Sequence, residues 1–497
     1  MHSPSLRLLA LILLVAGLSP MGLAVAQDQA PPQPTFPTLP EDTPAGSGMM
    51  QPCLEELEGR IRCGRYRVWE DREAQRGRTI DLAFVLADAL DPAADDSTAS
   101  TFFFGGPGSS VTKPSPFVIR AGRALRQHRD LLMLDFRGVG NSGQLDCGVP
   151  YPSGVGSRFG SIFPLDQVAD CRDRLSQRAQ LDLYTSAHNM DDLDELRAWL
   201  NYRTLDLSGG SYGTREIQVF LRRHPESART VVLNGVSPLF TAGYVTHARG
   251  LQNALDELVA QCRDDSACSD AYPDFGATVE RVLERVRTDP PEVLAEGEPV
   301  ELGQGELGYA LRGLLYRRAG DVPALVTAAD RGDWQQLADY YLQRSGWVSD
   351  ADGEAGMHFS VLCAEDISQV DAEMIAKETA GTFLGDYLIG GYAGVCAAWP
   401  YARLDPSYWE PVTSDVPALL LSGSRDPVTP PSGGEAVAKH LSNSLHVVVP
   451  GAGHGVGGPC IDEIEFRFVQ TGSLENLDIS CLEARPPTVF SVQDAAE

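Results

Sequence analysis

The chain has 497 residues, 43% hydrophobic and 22% charged, with 49 glycines and 34 prolines, which excludes a disordered or low-complexity protein; its length fits roughly three domains or one large α/β unit with an insertion. A formal net charge of -28, from 40 basic and 68 acidic residues, repels phosphate backbones and anionic membranes. No nucleic-acid partner is expected.

Residues 1–26 read as an export signal, with Arg7 as the positive start, an apolar run over 8–18 and Ala24-Val25-Ala26 as a small-x-small cleavage site. The run is too short for a ~30 Å hydrocarbon core, and no later segment approaches the roughly 18 uncharged apolar residues a span needs, so stable membrane insertion is not expected. No cysteine follows it to take a lipid. The mature protein is expected to be periplasmic or secreted. Residues 27–50, rich in Pro and Gly and without periodicity, are expected to form a flexible leader or extended arm.

From residue 51 to 236, short hydrophobic runs alternate with amphipathic segments, the pattern of a mostly parallel sheet covered by helices. A hairpin is predicted within 65–90, where Leu82, Phe84 and Leu86 alternate with smaller or polar neighbours. Strands follow at 101–104, 131–136, 204–207 and 230–233. A crossover helix is predicted between the second and third of these, capped by Asn189, with Asp191 and Asp192 at its positive end and Leu193, Leu196 and Leu200 on one face. Residues 237–416 then change to mainly helical segments, including 251–262, 277–287 and 333–343, which read as an inserted cap. The sheet resumes in 417–497 with strands at 418–421 and 446–449.

The chemistry gathers in loops directly after predicted strands, where open α/β sheets place their ligands. Gly209-Gly210-Ser211-Tyr212-Gly213 is a G-x-S-x-G nucleophile elbow between a strand and the amphipathic segment 214–223. Ser211 needs a base and an acid to orient that base. His454, in the glycine-rich loop after the last strand, is the expected base, and Asp426, five residues beyond the strand at 418–421, the expected acid. Their order along the chain is the nucleophile, acid, base order of α/β-hydrolases. The negative oxygen of a tetrahedral intermediate needs backbone N–H donors. One is expected from Tyr212; the other from Gly106 in Gly105-Gly106-Pro107-Gly108, with Gly105 as second choice because Pro107 has no N–H.

Gly138-Val139-Gly140-Asn141-Ser142-Gly143 also fits a G-x-G-x-x-G dinucleotide fingerprint, but the Pro- and Gly-rich stretch after it offers no helix N-terminus for a pyrophosphate. A nicotinamide cofactor is therefore not expected. Zinc-ligand spacings and H-E-x-x-H do not occur, so no metal is expected either. Ten cysteines in an exported chain are expected to pair. Sequence neighbours suggest Cys53–Cys63, Cys147–Cys171, Cys262–Cys268, Cys363–Cys396 and Cys460–Cys481.

Together, Gly105-Gly106-Pro107-Gly108, Asp135-Phe136-Arg137-Gly138-Val139-Gly140-Asn141-Ser142 and Gly209-Gly210-Ser211-Tyr212-Gly213 resemble the G-G-P-G, D-x-R-G-x-G-x-S and G-G-S-Y-G motifs of the proline iminopeptidase and tripeptidyl aminopeptidase family. The resemblance runs from about Cys53 to Cys481 and is weakest in the cap. It implies an α/β-hydrolase fold with a mostly parallel sheet and a large helical cap inserted before the last strands. It further implies a serine exopeptidase that releases amino acids or short peptides from a free N-terminus through an acyl-enzyme. Cys363-Ala364-Glu365-Asp366 resembles the cap segment that supplies an acid to the substrate ammonium group, which makes Glu365 the expected substrate-binding residue. Phe104 stands where proline iminopeptidases usually carry His, a departure that favours the secreted tripeptidyl branch. Asp135 and Arg137 are expected to hold the loop rather than to react. A carboxylesterase or lipase using the same triad, and a non-catalytic binding protein on the same scaffold, are the competing readings.

Overall fold

A computed structural model describes residues 32–91, 93, 97–146, 159–295, 297–345, 354–484 and 488–492. The expected signal at 1–26 and Cys147 lie outside the described residues. The strands are β1 (Ser47–Pro52), β2 (Ile61–Trp69), β3 (Thr79–Ala87), β4 (Thr98–Phe103), β5 (Asp130–Leu134), β6 (Thr204–Gly210), β7 (Ala228–Asn234), β8 (Glu292–Ala295), β9 (Glu298–Glu301), β10 (Ala418–Gly423) and β11 (Ser444–Val449). Six helices matter most here: α1 (Ser186–Trp199), α2 (Gly213–Arg223), α3 (His247–Asp264), α4 (Gln304–Arg317), α5 (Ala355–Glu365) and α6 (Pro459–Thr471).

Nine strands form one sheet in the order β1-β2-β3-β5-β4-β6-β7-β10-β11. The first three are antiparallel to their neighbours, and from β5 to β11 every pairing is parallel. Parallel strands covered on both faces must be apolar throughout, and all six residues of β10 are buried. Each buried aliphatic side chain in this sheet contributes roughly 1.5–3 kcal/mol relative to exposure. The parallel arrangement brings the loops after β4, β6, β7, β10 and β11 to one edge of the sheet. Between β7 and β10 the described elements are helices and the antiparallel β8–β9 hairpin.

Two local expectations change. The supposedly flexible leader is tied down at its end: β1 pairs with β2 in the register Met49↔Arg65, and Arg67 donates to the carbonyls of Pro40, Glu41 and Thr43 at 3.0, 3.0 and 3.1 Å. The crossover helix α1 starts before Asn189. Its cap is Thr185, which accepts from the His188 N–H, whereas Asn189 is buried within the helix and donates to Glu216 at 3.2 Å.

Four of the suggested disulfides are present, Cys53–Cys63, Cys262–Cys268, Cys363–Cys396 and Cys460–Cys481. Cys171 is also disulfide-bonded. Among the described residues no helix is long and apolar enough to cross a membrane.

Candidate active site

β6 ends at Gly210 and α2 begins at Gly213, so Ser211 and Tyr212 alone turn the chain. Ser211 sits at φ 57°, a left-handed conformation that costs a non-glycine residue roughly 1–3 kcal/mol and that the surroundings must hold. The flanking glycines allow strand and helix to meet. A Cβ on Gly209 would stand 2.7 Å from Ile217 Cδ1, and one on Gly213 2.5 Å from the Phe103 carbonyl oxygen. The Ser211 N–H donates to the Asn234 carbonyl at 2.9 Å, and the Thr214 hydroxyl donates to the Ser211 carbonyl at 2.6 Å.

Asp426 is buried after β10 and accepts the N–H groups of Val428 and Thr429 at 3.0 and 2.9 Å and the Thr429 hydroxyl at 2.7 Å. His454 Nδ1 donates to Asp426 at 2.9 Å. This bond keeps the proton on Nδ1 and leaves the Nε2 lone pair for a serine hydroxyl. Gly235 connects the two halves of the site. Its neighbour Asn234 holds the Ser211 N–H, and a Cβ on Gly235 would stand 3.5 Å from His454 Cε1 and from Asp426 Oδ2. Ser211 and His454 line one cavity of about 930 Å³, together with Gly105, Gly106 and Tyr212. Among the described residues the Ser211 hydroxyl has no hydrogen-bond partner. Serine–imidazole contacts are often long before substrate binds and tighten in the reacting complex.

Gly105 touches the serine directly: a Cβ there would lie 2.7 Å from Ser211 Cβ. Gly106 follows at φ 132°, and its carbonyl accepts the Tyr244 hydroxyl at 2.7 Å. Asp135 and Arg137 lie behind this loop. Asp135 accepts from Ser110, Val111, Thr112 and Asn141, and Arg137 makes a fully buried two-point contact with Asp192.

Residues 381–481 match the family model described as TAP-like protein. Over 476 residues the chain is 25% identical to serine protease Hip1 of Mycobacterium tuberculosis, covering 86% of this chain and 88% of the relative. It is also 25% identical over 479 residues to tripeptidyl aminopeptidase of Streptomyces lividans, covering 86% and 84% of the two chains. The fold is that of an α/β hydrolase. The same chain is 25% identical over 425 residues to carboxylesterase B of Mycobacterium tuberculosis, covering 76% and 78%.

One sequence-based expectation is corrected by the geometry of the site. Glu365 is not on the cavity wall: it is fully buried at the end of α5, and its carboxylate accepts the Ser186 N–H at 2.6 Å and the Tyr212 and Tyr408 hydroxyls. Burial pushes its pKa up while those three donors oppose the shift. With its oxygens occupied and water excluded, Glu365 anchors the ring of the residue next to Ser211 and leaves nothing for a substrate ammonium group. The adjacent Asp366 does reach the cavity, but it is 2.9 Å from Arg215 and also accepts the N–H groups of Gly243 and Tyr244.

Other cavity residues escaped the sequence reading. Glu465, half-buried on α6, is pushed up to about 7 by burial and by Asp462, against a hydrogen bond from Asn234. Thr429 bridges acid and base, its hydroxyl lying 3.1 Å from His454 Nδ1. Arg312 and His247 line the same space. A pattern was available for Arg312, since Tyr309, Arg312 and Tyr316 recur at helical spacing in an otherwise leucine-rich segment. Glu465 and His247 left no such mark.

Proposed function

We propose that the protein is an exported aminopeptidase that removes amino acids or short peptides from a free N-terminus, through an acyl-enzyme on Ser211. His454 Nε2 takes the Ser211 proton as the oxygen attacks the scissile carbonyl, and Asp426 holds the ring and stabilises the imidazolium. The N–H groups of Tyr212 and Gly106 receive the developing oxyanion. His454 then gives its proton to the leaving amine, and water repeats the sequence to release the acyl fragment.

The observation that carries this reading is the Asp426–His454 bond at 2.9 Å, joined through Gly235 and Asn234 to a serine on an elbow that lines the same cavity. Glu465 is the acid assigned to the substrate ammonium group. It lines the cavity and forms no ion pair among the described residues, and an approaching cation would draw it into its charged form. The disulfides and the signal-like N-terminus support an oxidising compartment.

Hydrolysis of a tripeptidyl arylamide, compared with that of its N-acetylated form, tests the specificity. The free amine should be cleaved at least about tenfold faster in kcat/KM, as expected when a partly buried carboxylate loses its only cationic partner. Equal rates would exclude N-terminal recognition. The carboxylesterase B relative keeps one rival alive, and preferential cleavage of aryl esters with no turnover of either arylamide would favour it.

A further inference from the structure

Helix α4 buries Leu307, Leu311, Leu314 and Leu315, yet Tyr309, Arg312 and Tyr316 lie at spacings of three and four residues and reach the active-site cavity together. The Arg312 guanidinium carbon stands 5.4 Å from the Tyr309 ring centroid and 4.7 Å from that of Tyr316, and a terminal nitrogen donates to the Tyr316 hydroxyl at 3.0 Å. Among the described residues that is its one hydrogen bond. Among the same residues its Nε is buried without an acceptor, and no carboxylate pairs with it. Of the other charges on this cavity, Asp366 is paired with Arg215 and Arg318 with Asp321.

A second unpartnered polar atom faces the same region. His247 is 7% exposed, its Nδ1 has no partner among the described residues, and its ring lies 4.6 Å from that of Tyr244. Burial first, and the Arg312 charge next, hold His247 well below the ordinary histidine range, so it adds no second cation at neutral pH.

A guanidinium held between aromatic rings and lacking an anion is expensive to desolvate, and its planar fork matches a carboxylate in two-point geometry. Its position also bears on the reaction. Tyr316, which Arg312 contacts, meets the His454 ring edge-on at 4.8 Å between centroids, and the Tyr316 carbonyl accepts the His454 N–H at 3.3 Å.

We infer that Arg312 forms a carboxylate subsite beside the scissile bond, so that the cavity favours short peptides bearing either a free C-terminal carboxylate or an Asp or Glu side chain. The inference rests on the peptide reading above, and its test does not require that peptides be cleaved. p-Nitrophenyl acetate reports the serine chemistry, and peptides compete with it. Tri-alanine as free acid against its amide reads the C-terminal source. Ala-Glu-Ala amide against Ala-Gln-Ala amide reads the side-chain source.

At least one charged peptide should inhibit about tenfold more tightly than its neutral partner, a typical gain for a charge-assisted two-point contact. In Arg312→Gln that ratio should fall to about one, and in Arg312→Lys, which keeps the charge but loses the fork, to an intermediate value. Ratios near one for both pairs in the wild-type enzyme overturn the inference without any variant. So does a ratio that stays at its full wild-type value in either variant. Should Arg312→Gln not fold, the wild-type and Arg312→Lys ratios still decide. Charge-selective inhibition without peptide hydrolysis would overturn the peptidase reading and leave the subsite standing.

Discussion

Glu365 separates two accounts of the acid that the sequence places in the cap, and Glu365→Gln distinguishes them. The carboxylate accepts from the Ser186 N–H and from the hydroxyls of Tyr212 and Tyr408. A glutamine keeps one carbonyl oxygen for Ser186 and presents an amide to the two tyrosines, so two hydrogen bonds to a charge-capable group become ordinary or are lost. At about 1 kcal/mol for each such exchange, the variant should lose about 2 kcal/mol of stability. The position of Tyr212 would loosen with it, and the Tyr212 N–H is the proposed oxyanion donor. Because small displacements in a reacting geometry are costly, kcat should fall about tenfold with KM little changed. The assay is urea unfolding alongside kinetics on a tripeptidyl arylamide and on p-nitrophenyl acetate, which has no amine. Both substrates should lose kcat to the same extent. A rise in KM confined to the arylamide, with the unfolding midpoint unmoved, would refute the anchor and restore Glu365 to ammonium binding.

Glu465→Gln should do what Glu365→Gln does not, raising KM about tenfold for the free-amine substrate while sparing p-nitrophenyl acetate. Since Glu465 is pushed up to about 7, the wild-type ratio of arylamide to ester kcat/KM should climb as pH rises through 7, and Glu465→Gln should flatten that climb. Glu216, buried beneath the elbow, is raised by burial to about 8. Its folded pKa exceeds its unfolded one, so its contribution is fully present below about 4.5 and is lost as pH rises through 8. Glu216→Gln should therefore raise the thermal midpoint at pH 8.5 and leave it nearly unchanged at pH 4, as scanning calorimetry would read. Thr429→Val removes the hydroxyl that donates to Asp426 at 2.7 Å and should lower kcat about three- to tenfold without a change in KM.

Much of this site was legible in the chain because its demands are local. Sharp turns require glycine at fixed offsets from Ser211, and the strand before each functional loop announces itself by a short apolar run. The sheet strands from β4 to β11 overlap their predicted positions for that reason. Where the sequence misled, long-range pairing decided. The segment Ser47–Pro52 lacks any alternation, yet it is a strand because β2 offers it an open edge and Arg67 binds the carbonyls before it. Asn189 is a good cap by composition, but Thr185 caps the helix and Asn189 is drawn inward to Glu216. Glu365 is indistinguishable in sequence from a solvated acid. Only its burial against Tyr212 and Tyr408, residues 153 and 43 positions away, reveals an anchor.

In the proposed mechanism the Ser211 oxygen is the nucleophile and His454 activates it. This is tested most directly by treating the enzyme with a fluorophosphonate and locating the adduct by peptide mass spectrometry. One adduct is expected, on Ser211, absent in Ser211→Ala and formed far more slowly in His454→Ala, with ester and arylamide turnover lost in parallel. An adduct on another residue, or a Ser211→Ala enzyme that still turns over substrate at the wild-type rate, would contradict it.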